Sequence, residues 1–402
     1  MYRSERVRGL CVLTSWLMLA SAGPLMAQTP PAGDRHEDMP MDTGTSPWMF
    51  MTDATVYAMF NHQGGPRGAD EFKAPNWWMG MASRPAAGGQ LTFTAMLSLD
   101  PLTVGRSGYA ELFQVGEALD GRPLVDRQHP HDLFMQLAAV WRRPLSNGFA
   151  LTLAGGPAGE PALGPIAFMH RPSAENIIVA PLGHHTFDST HISFGVVTAA
   201  IERGPWTVEG SAFNGREPDD DRWDIDLGRM DSVAGRLWFR PSRAWEFQIS
   251  TGHLVEPEEL EPGDLQRTTA SASWFSRAKD DDFTAVTVAY GVNAAHDTRH
   301  QAAFVEFTRH IARYGVSLRG ELAQSEQRAG TVGAITIGGA RDLAFWKGLE
   351  ASVGGDVTLY RVPDASTSAY GSRPVSVQLF VRLRPRPGHM GRMWNMRMSR
   401  PL

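Results

Sequence analysis

Two short stretches gather the residue types of a metal site. "DRQHPHDLF" sets His129 and His131 one residue apart, with Asp132 next, and "GHHTFDSTH" brings together His184, His185, Asp188 and His191. Imidazole nitrogens with a carboxylate suit borderline divalent ions such as zinc, copper or nickel. A third stretch, "HEDMPMD", places His36, Met39 and Met41 among acids. Thioethers select Cu(I) or Ag(I) and have no proton to lose on binding. The candidate ligands are therefore His36, Met39, Met41, His129, His131, His184, His185, Asp188 and His191, for copper or another transition metal. No further cofactor is called for. Asp188, Ser189 and His191 also supply the residue types of a hydrolytic triad. Three residues so close on one extended segment do not easily align as nucleophile, base and orienter, and no nucleophile elbow surrounds Ser189. No catalytic residue is assigned.

The compartment follows from the N-terminus. "MYRSERVRGLCVLTSWLMLASAGPLMAQ" has a basic start (Arg3, Arg6, Arg8), an apolar run from about Leu10 to Ala22, and a cleavage pattern ending at Ala27. This is a secretory signal, with an apolar run too short to span a bilayer as a helix. The only cysteine, Cys11, lies inside it, so no disulfide is expected in the exported chain. Losing residues 1–27 removes three arginines and Glu5 from 38 basic and 43 acidic residues, leaving a formal charge of −7. That mild acidity gives no footing for nucleic acid. No later stretch reaches ~18 consecutive apolar residues, so helical spans are excluded, whereas a β-barrel needs an apolar residue only at every second position.

What must position the candidate ligands is a set of strands. "GQLTFTAMLSLD" sets Leu91, Phe93, Ala95, Leu97 and Leu99 against Thr92, Thr94, Met96 and Ser98. "AWEFQIST" sets Trp245, Phe247 and Ile249 against Glu246, Gln248 and Ser250, and "PVSVQLFVRLRP" sets Val375, Val377, Leu379, Val381 and Leu383 against Ser376, Gln378, Arg382 and Arg384. These are half-apolar strands of about ten residues, the length of a tilted bilayer crossing. Short turns fall at 84–89, 143–148, 202–205, 240–244, 277–282, 309–313 and 342–348. Between them run mostly longer polar or Pro/Gly-rich connectors: 61–75, 100–131, 155–190, 214–229, 253–265, 293–300, 324–330 and 361–373. The pattern predicts an all-β, transmembrane, antiparallel up-and-down β-barrel of about 16 strands, with short periplasmic turns and long external loops. A sandwich or propeller has no reason to gather its short turns at one end.

Other residues follow this polarity. Of thirteen histidines, ten map to the loop side: His62, His129, His131, His170, His184, His185, His191, His253, His296 and His300. Trp141, Trp206, Trp238, Phe239, Trp245, Trp274, Phe275, Tyr314 and Trp346 sit near short turns, as an aromatic girdle would. The inward face carries Glu209, Arg236, Arg240, Glu246, Glu306, Arg319, Glu321, Glu350, Asp356, Arg382 and Arg384, a balance that predicts no strong ion selectivity.

At this level the chain resembles Gram-negative outer-membrane porins of sixteen strands. The resemblance implies a third external loop, here 155–190 and the longest connector, folded into the lumen. His170, Glu175, His184 and His185 are then the residues expected at the constriction. It also implies outer-membrane lipid, lipopolysaccharide and the assembly machinery as partners, with a homotrimer as the oligomer. One departure is the tail, which runs past the last strand where such barrels commonly end on an aromatic residue. The Met-rich leader resembles, in composition, the outer-membrane copper-resistance B proteins, with "MPM" and "MFM" in place of their longer repeats.

The expected order is a signal peptide (1–27), a periplasmic leader (28–51), the barrel (52–384) and a Met/Arg-rich periplasmic tail (385–402). In the tail, Met390, Met393 and Trp394 share one face of a short helix among arginines, which reads as a membrane-interface element. The expected function is an outer-membrane porin-like channel for a small solute or metal ion, without catalysis. The alternatives are a non-conducting surface barrel and a barrel hydrolase.

Overall fold

A computed structural model describes residues 48–385, apart from 116, 279–281, 297, 326, 327 and 347. The segment expected to be a signal peptide, His36, Met39, Met41 and the residues beyond 385 lie outside the described residues. Sixteen antiparallel strands close into one barrel. They are β1 Met49–Gln63, β2 Asn76–Ala86, β3 Gly89–Leu97, β4 Phe134–Pro144, β5 Phe149–Gly159, β6 Ser193–Arg203, β7 Trp206–Phe213 and β8 Ser232–Phe239. Then follow β9 Trp245–Leu254, β10 Leu265–Arg277, β11 Phe283–Ala295, β12 Thr298–Ile311, β13 Tyr314–Ser325, β14 Arg328–Trp346, β15 Leu349–Arg361 and β16 Val375–Pro385. Each pairs with its neighbour in sequence, and β1 closes the ring on β16 from Val56↔Leu383 to Gln63↔Ser376. A short extra strand, Asp70–Lys73, continues the β2 side of β1 beyond a break at Ala74–Pro75.

The alternation is turned inside out relative to a water-soluble protein. Along β9, Trp245, Phe247 and Ile249 are exposed while Glu246, Gln248 and Ser250 are buried. Leu318, Ile337 and Val357, side by side on β13, β14 and β15, are likewise exposed. Such a belt is stable against hydrocarbon and costly against water. Inside, opposite charges face one another across the ladder: Arg236 donates to Glu209 at 2.8 Å, and Glu306 stands opposite Arg319. No helix among the described residues is long and apolar enough to cross a membrane.

All seven expected short turns are present at one end of the barrel. One two-residue turn, Ala87–Gly88, has positive φ at both central residues (50° and 71°), the geometry whose twist matches the flanking strands. Two expected loops are corrected. Strands β11 and β12 run on to leave 296–297 between them, and β13 and β14 leave 326–327, because polar alternation continues where a loop was read. The longest connector is 98–133, not 155–190, because β5 carries on through Gly155 and Gly156 to Gly159 with a register shift. Glycines there mark a bulge rather than the strand's end. At the other border, β1 begins at Met49, so Met49 and Met51 belong to the barrel. Trp238 and Phe275 leave the girdle, Phe275 lying on the same face as buried Ala285. Trp238 points inward, 1% exposed, under Arg240 and with its Nε1 donating to Glu209. Trp206, Trp245 and Tyr314 do face outward.

Candidate functional site

Two loops descend into the lumen from the long-loop end. The segment 160–192, called the plug below, is suspended on wall residues around most of the ring. The amides of Ala162 and Gly164 donate to Ser211 on β7 and Ser250 on β9. Arg171 reaches Glu306 on β12 through two hydrogen bonds, each 2.8 Å. Arg319 on β13 donates to the carbonyls of Val179 and Ala180, and Arg382 on β16 to that of Glu175. On β14, a Cβ at Gly338 would stand 2.8 Å from the carbonyl oxygen of Asn176, so only glycine lets the plug lie this close. The second loop, 98–133, docks against β1, where Asn61 donates to Ala110 and the Leu112 amide to Gln63. A cavity of about 70 Å³ remains between the two loops and the wall, bordered by Asp100, His129, His131 and Arg171.

The four residues expected at a constriction take different positions in this packing. His170 stacks edge-on against Trp77, their ring centres 5.2 Å apart. Glu175 accepts from Arg384 at 2.7 Å and sits 3.7 Å from His310. His184 is fully buried, and His185 is mostly so.

At the loop end of the lumen the candidate ligands of both histidine stretches meet. One ring nitrogen each from His129, His184 and His185 lie within 4.8 Å of one another. His131 and His191 form an adjoining pair, ring centres 5.6 Å apart, with His191 5.4 Å from His184. Asp188 stands behind the cluster as an anchor. Its carboxylate pairs with Nδ1 of His184 at 2.8 Å and accepts from Arg171 and the Phe168 amide at 3.0 Å, while its carbonyl holds Nδ1 of His191 at 2.7 Å. Ser189 accepts from Arg267, and His191 turns to the Asp188 carbonyl rather than to Ser189, so the three do not form a hydrolytic triad.

Four acids that the spacing did not single out complete the cluster. Glu117 lies 3.1 Å from Nδ1 of His129, Glu217 2.9 Å from Nδ1 of His185, and Asp100 2.8 Å from Nδ1 of His131. Glu258 groups with Glu217 around His185. Glu217 and Glu258 come from the loops after β7 and β9, and only barrel closure brings those loops to the plug. Burial pushes His129 and His191 well below the usual imidazole range and lowers His184 against the pull of Asp188. Burial also opposes charge on His185, but Glu217 outweighs it and carries the imidazole up to about 9. The same pairing, against burial, brings Glu217 down to about 2.

No family model matches this sequence, and no curated protein is similar to it. Solved structures are. An anion-selective porin from Comamonas acidovorans superposes with a TM-score of 0.53 at 10% identity, covering 84% of this chain and 100% of that one. The high-pH structure of OprB from Pseudomonas putida gives 0.51 at 9% identity, covering 84% and 94%. At such identities the likeness is one of fold, and the fold is a porin-like barrel.

Proposed function

We propose that this chain is an outer-membrane channel of porin type, linked to the handling of copper or another transition metal, and that the plug holds it nearly shut. One observation carries the channel reading: a closed barrel, apolar outside and charged inside, has a loop hung across its lumen on side-chain hydrogen bonds. Sealing a permanently solid core needs no charged wall, since apolar packing does it at lower desolvation cost. A wall of hydrogen-bonding groups serves water and a hydrated solute whenever the plug yields. Both described ends of the barrel, Met49 and Pro385, lie at the short-turn end, which in this reading faces the periplasm.

Two features support the metal link. The loop end gathers five histidines, and one sector of the lumen packs Met79, Met81, Met96 and Met135 with Met51 and Met169 beside them. Thioethers also serve as ordinary gap fillers, so the histidines weigh more.

The test is conductance of the mature, full-length protein in planar bilayers. The reading expects small discrete steps, enlarged several-fold when residues 165–182 are replaced by a short Gly/Ser linker. Absence of steps in both proteins would leave a non-conducting barrel.

A further inference from the structure

We propose that His129, His184 and His185 bind one borderline divalent ion, of the zinc or copper(II) class, which clips loop 98–133 to the plug across the mouth of the barrel. The inference deepens the metal link proposed above and rests on it.

The geometry begins with how each ring is held. Nδ1 of His129 faces Glu117, Nδ1 of His184 faces Asp188, and Nδ1 of His185 faces Glu217. A carboxylate behind Nδ1 fixes the ring's orientation and makes Nε2 the nitrogen offered to a metal, with His185 releasing its Nε2 proton as the ion binds. For His129 and His184 that Nε2 is buried and has no hydrogen-bond partner. A structural polar core would turn its acids toward such atoms. Here the acids are used at Nδ1, and one nitrogen from each of the three rings lies within 4.8 Å of the other two.

The donor set points to the ion. Three imidazoles offer no thiolate and no oxygen cage, which disfavours calcium and magnesium and suits zinc, copper(II) or nickel. Around zinc, nitrogens at about 2.0–2.1 Å stand roughly 3.3 Å apart in a tetrahedron, so the rings draw together by on the order of an ångström on binding. The fourth position is bordered by His191, whose Nε2 is also buried and unpartnered. Glu217, paired with His185, supplies a negative charge that attracts a cation. Because His129 belongs to one loop and His184 and His185 to the other, the bound ion joins two segments more than fifty residues apart in sequence.

The experiment titrates chelator-stripped, full-length protein in detergent with Zn²⁺ alone and Cu²⁺ alone, using equilibrium dialysis. One ion per barrel at micromolar or tighter affinity is expected. His129→Gln and His184→Gln should each weaken it by about 100-fold or more, and Glu217→Gln by about 10–100-fold. β-sheet circular dichroism checks that each variant keeps its barrel, and the milder Glu217→Gln guards against a loop that fails to dock. Hydrogen exchange should slow around His129 and around His184–His185 together when Zn²⁺ is added. Affinity unchanged in the histidine variants, or lost only on removing residues 36–47, overturns the assignment. So does a folded barrel that takes up no ion. A protein that binds one ion here yet gives no conductance steps, with the plug intact or replaced, ends the channel reading and leaves this site standing.

Discussion

Arg171 of the plug and Glu306 of β12 form a two-pronged ion pair, Nε to Oε2 and Nη2 to Oε1 both at 2.8 Å, with both side chains sealed from solvent. Asp188 accepts from the remaining arm of the same guanidinium. Breaking a buried pair leaves a charge stranded, at a cost of about 3–5 kcal/mol. Arg171→Ala is therefore expected to undock the plug while the sixteen-strand ladder persists. Larger conductance steps and new protease cleavage within 160–192 are the readouts. A variant with native steps and native protease resistance would show that this pair does not latch the plug.

A second latch is pH-dependent. Burial works against the Glu175 charge, but Arg384, His310 and Arg382 outweigh it and hold the carboxyl below its usual value of 4.5. Asp342 and Glu350 lie behind those cations, each beside Arg384. A depressed carboxyl pKa contributes stability that is fully present above about 4.5 and lost as pH falls through the folded value. The plug should loosen in acid, below about pH 4, and stay docked at neutral pH. Conductance from pH 7 down to pH 3 measures this, and Glu175→Gln should flatten the profile. A variant as acid-sensitive as the parent would assign the transition to other carboxylates.

The outward belt makes a prediction of its own. Ile337 is exposed at the middle of β14, between Leu318 and Val357. Ile337→Arg should destabilise folding into lipid vesicles by about 2–4 kcal/mol, as charge at a bilayer midplane does. Equilibrium urea unfolding in vesicles gives the number. A change near zero would mean that this face never meets lipid.

The leader and the lumen are expected to prefer different ions. Deleting residues 36–42 should remove Cu(I) or Ag(I) binding by Met39 and Met41 and leave Zn²⁺ binding at the histidines unchanged. The deletion stops short of Met49 because β1 starts there. Competition against a Cu(I) chelator measures the first effect, and equal Cu(I) uptake with and without the segment would remove the leader from metal handling.

Much of the barrel was legible in local pattern. Alternation in "AWEFQIST" and "PVSVQLFVRLRP" assigns each side chain to a face, because strand periodicity is two residues and needs no distant partner. Seven short turn signals, separated by longer connectors, then set strand number and polarity. Where the pattern misled, the cause was also local: continued polar alternation extended β11 to β14, and the bulge at Gly155–Gly156 carried β5 onward. Trp238 faces inward because Arg236 and Arg240 cover its ring and Glu209 accepts from its indole, none of which a girdle count can weigh.

The histidine cluster divides the same way. Sequence by itself determined that imidazoles concentrate on the loop side, since type and position along each hairpin are one-dimensional facts. Tertiary structure decided which of them meet. His129 joins His184 and His185, Asp188 withdraws behind them, Glu117 folds back from the same loop as His129, and Glu217 and Glu258 arrive from two further loops. Loop conformation has no periodicity to read. Ring closure alone sets the distances between loops that leave different strands, so the ligand set exists only once the barrel has closed.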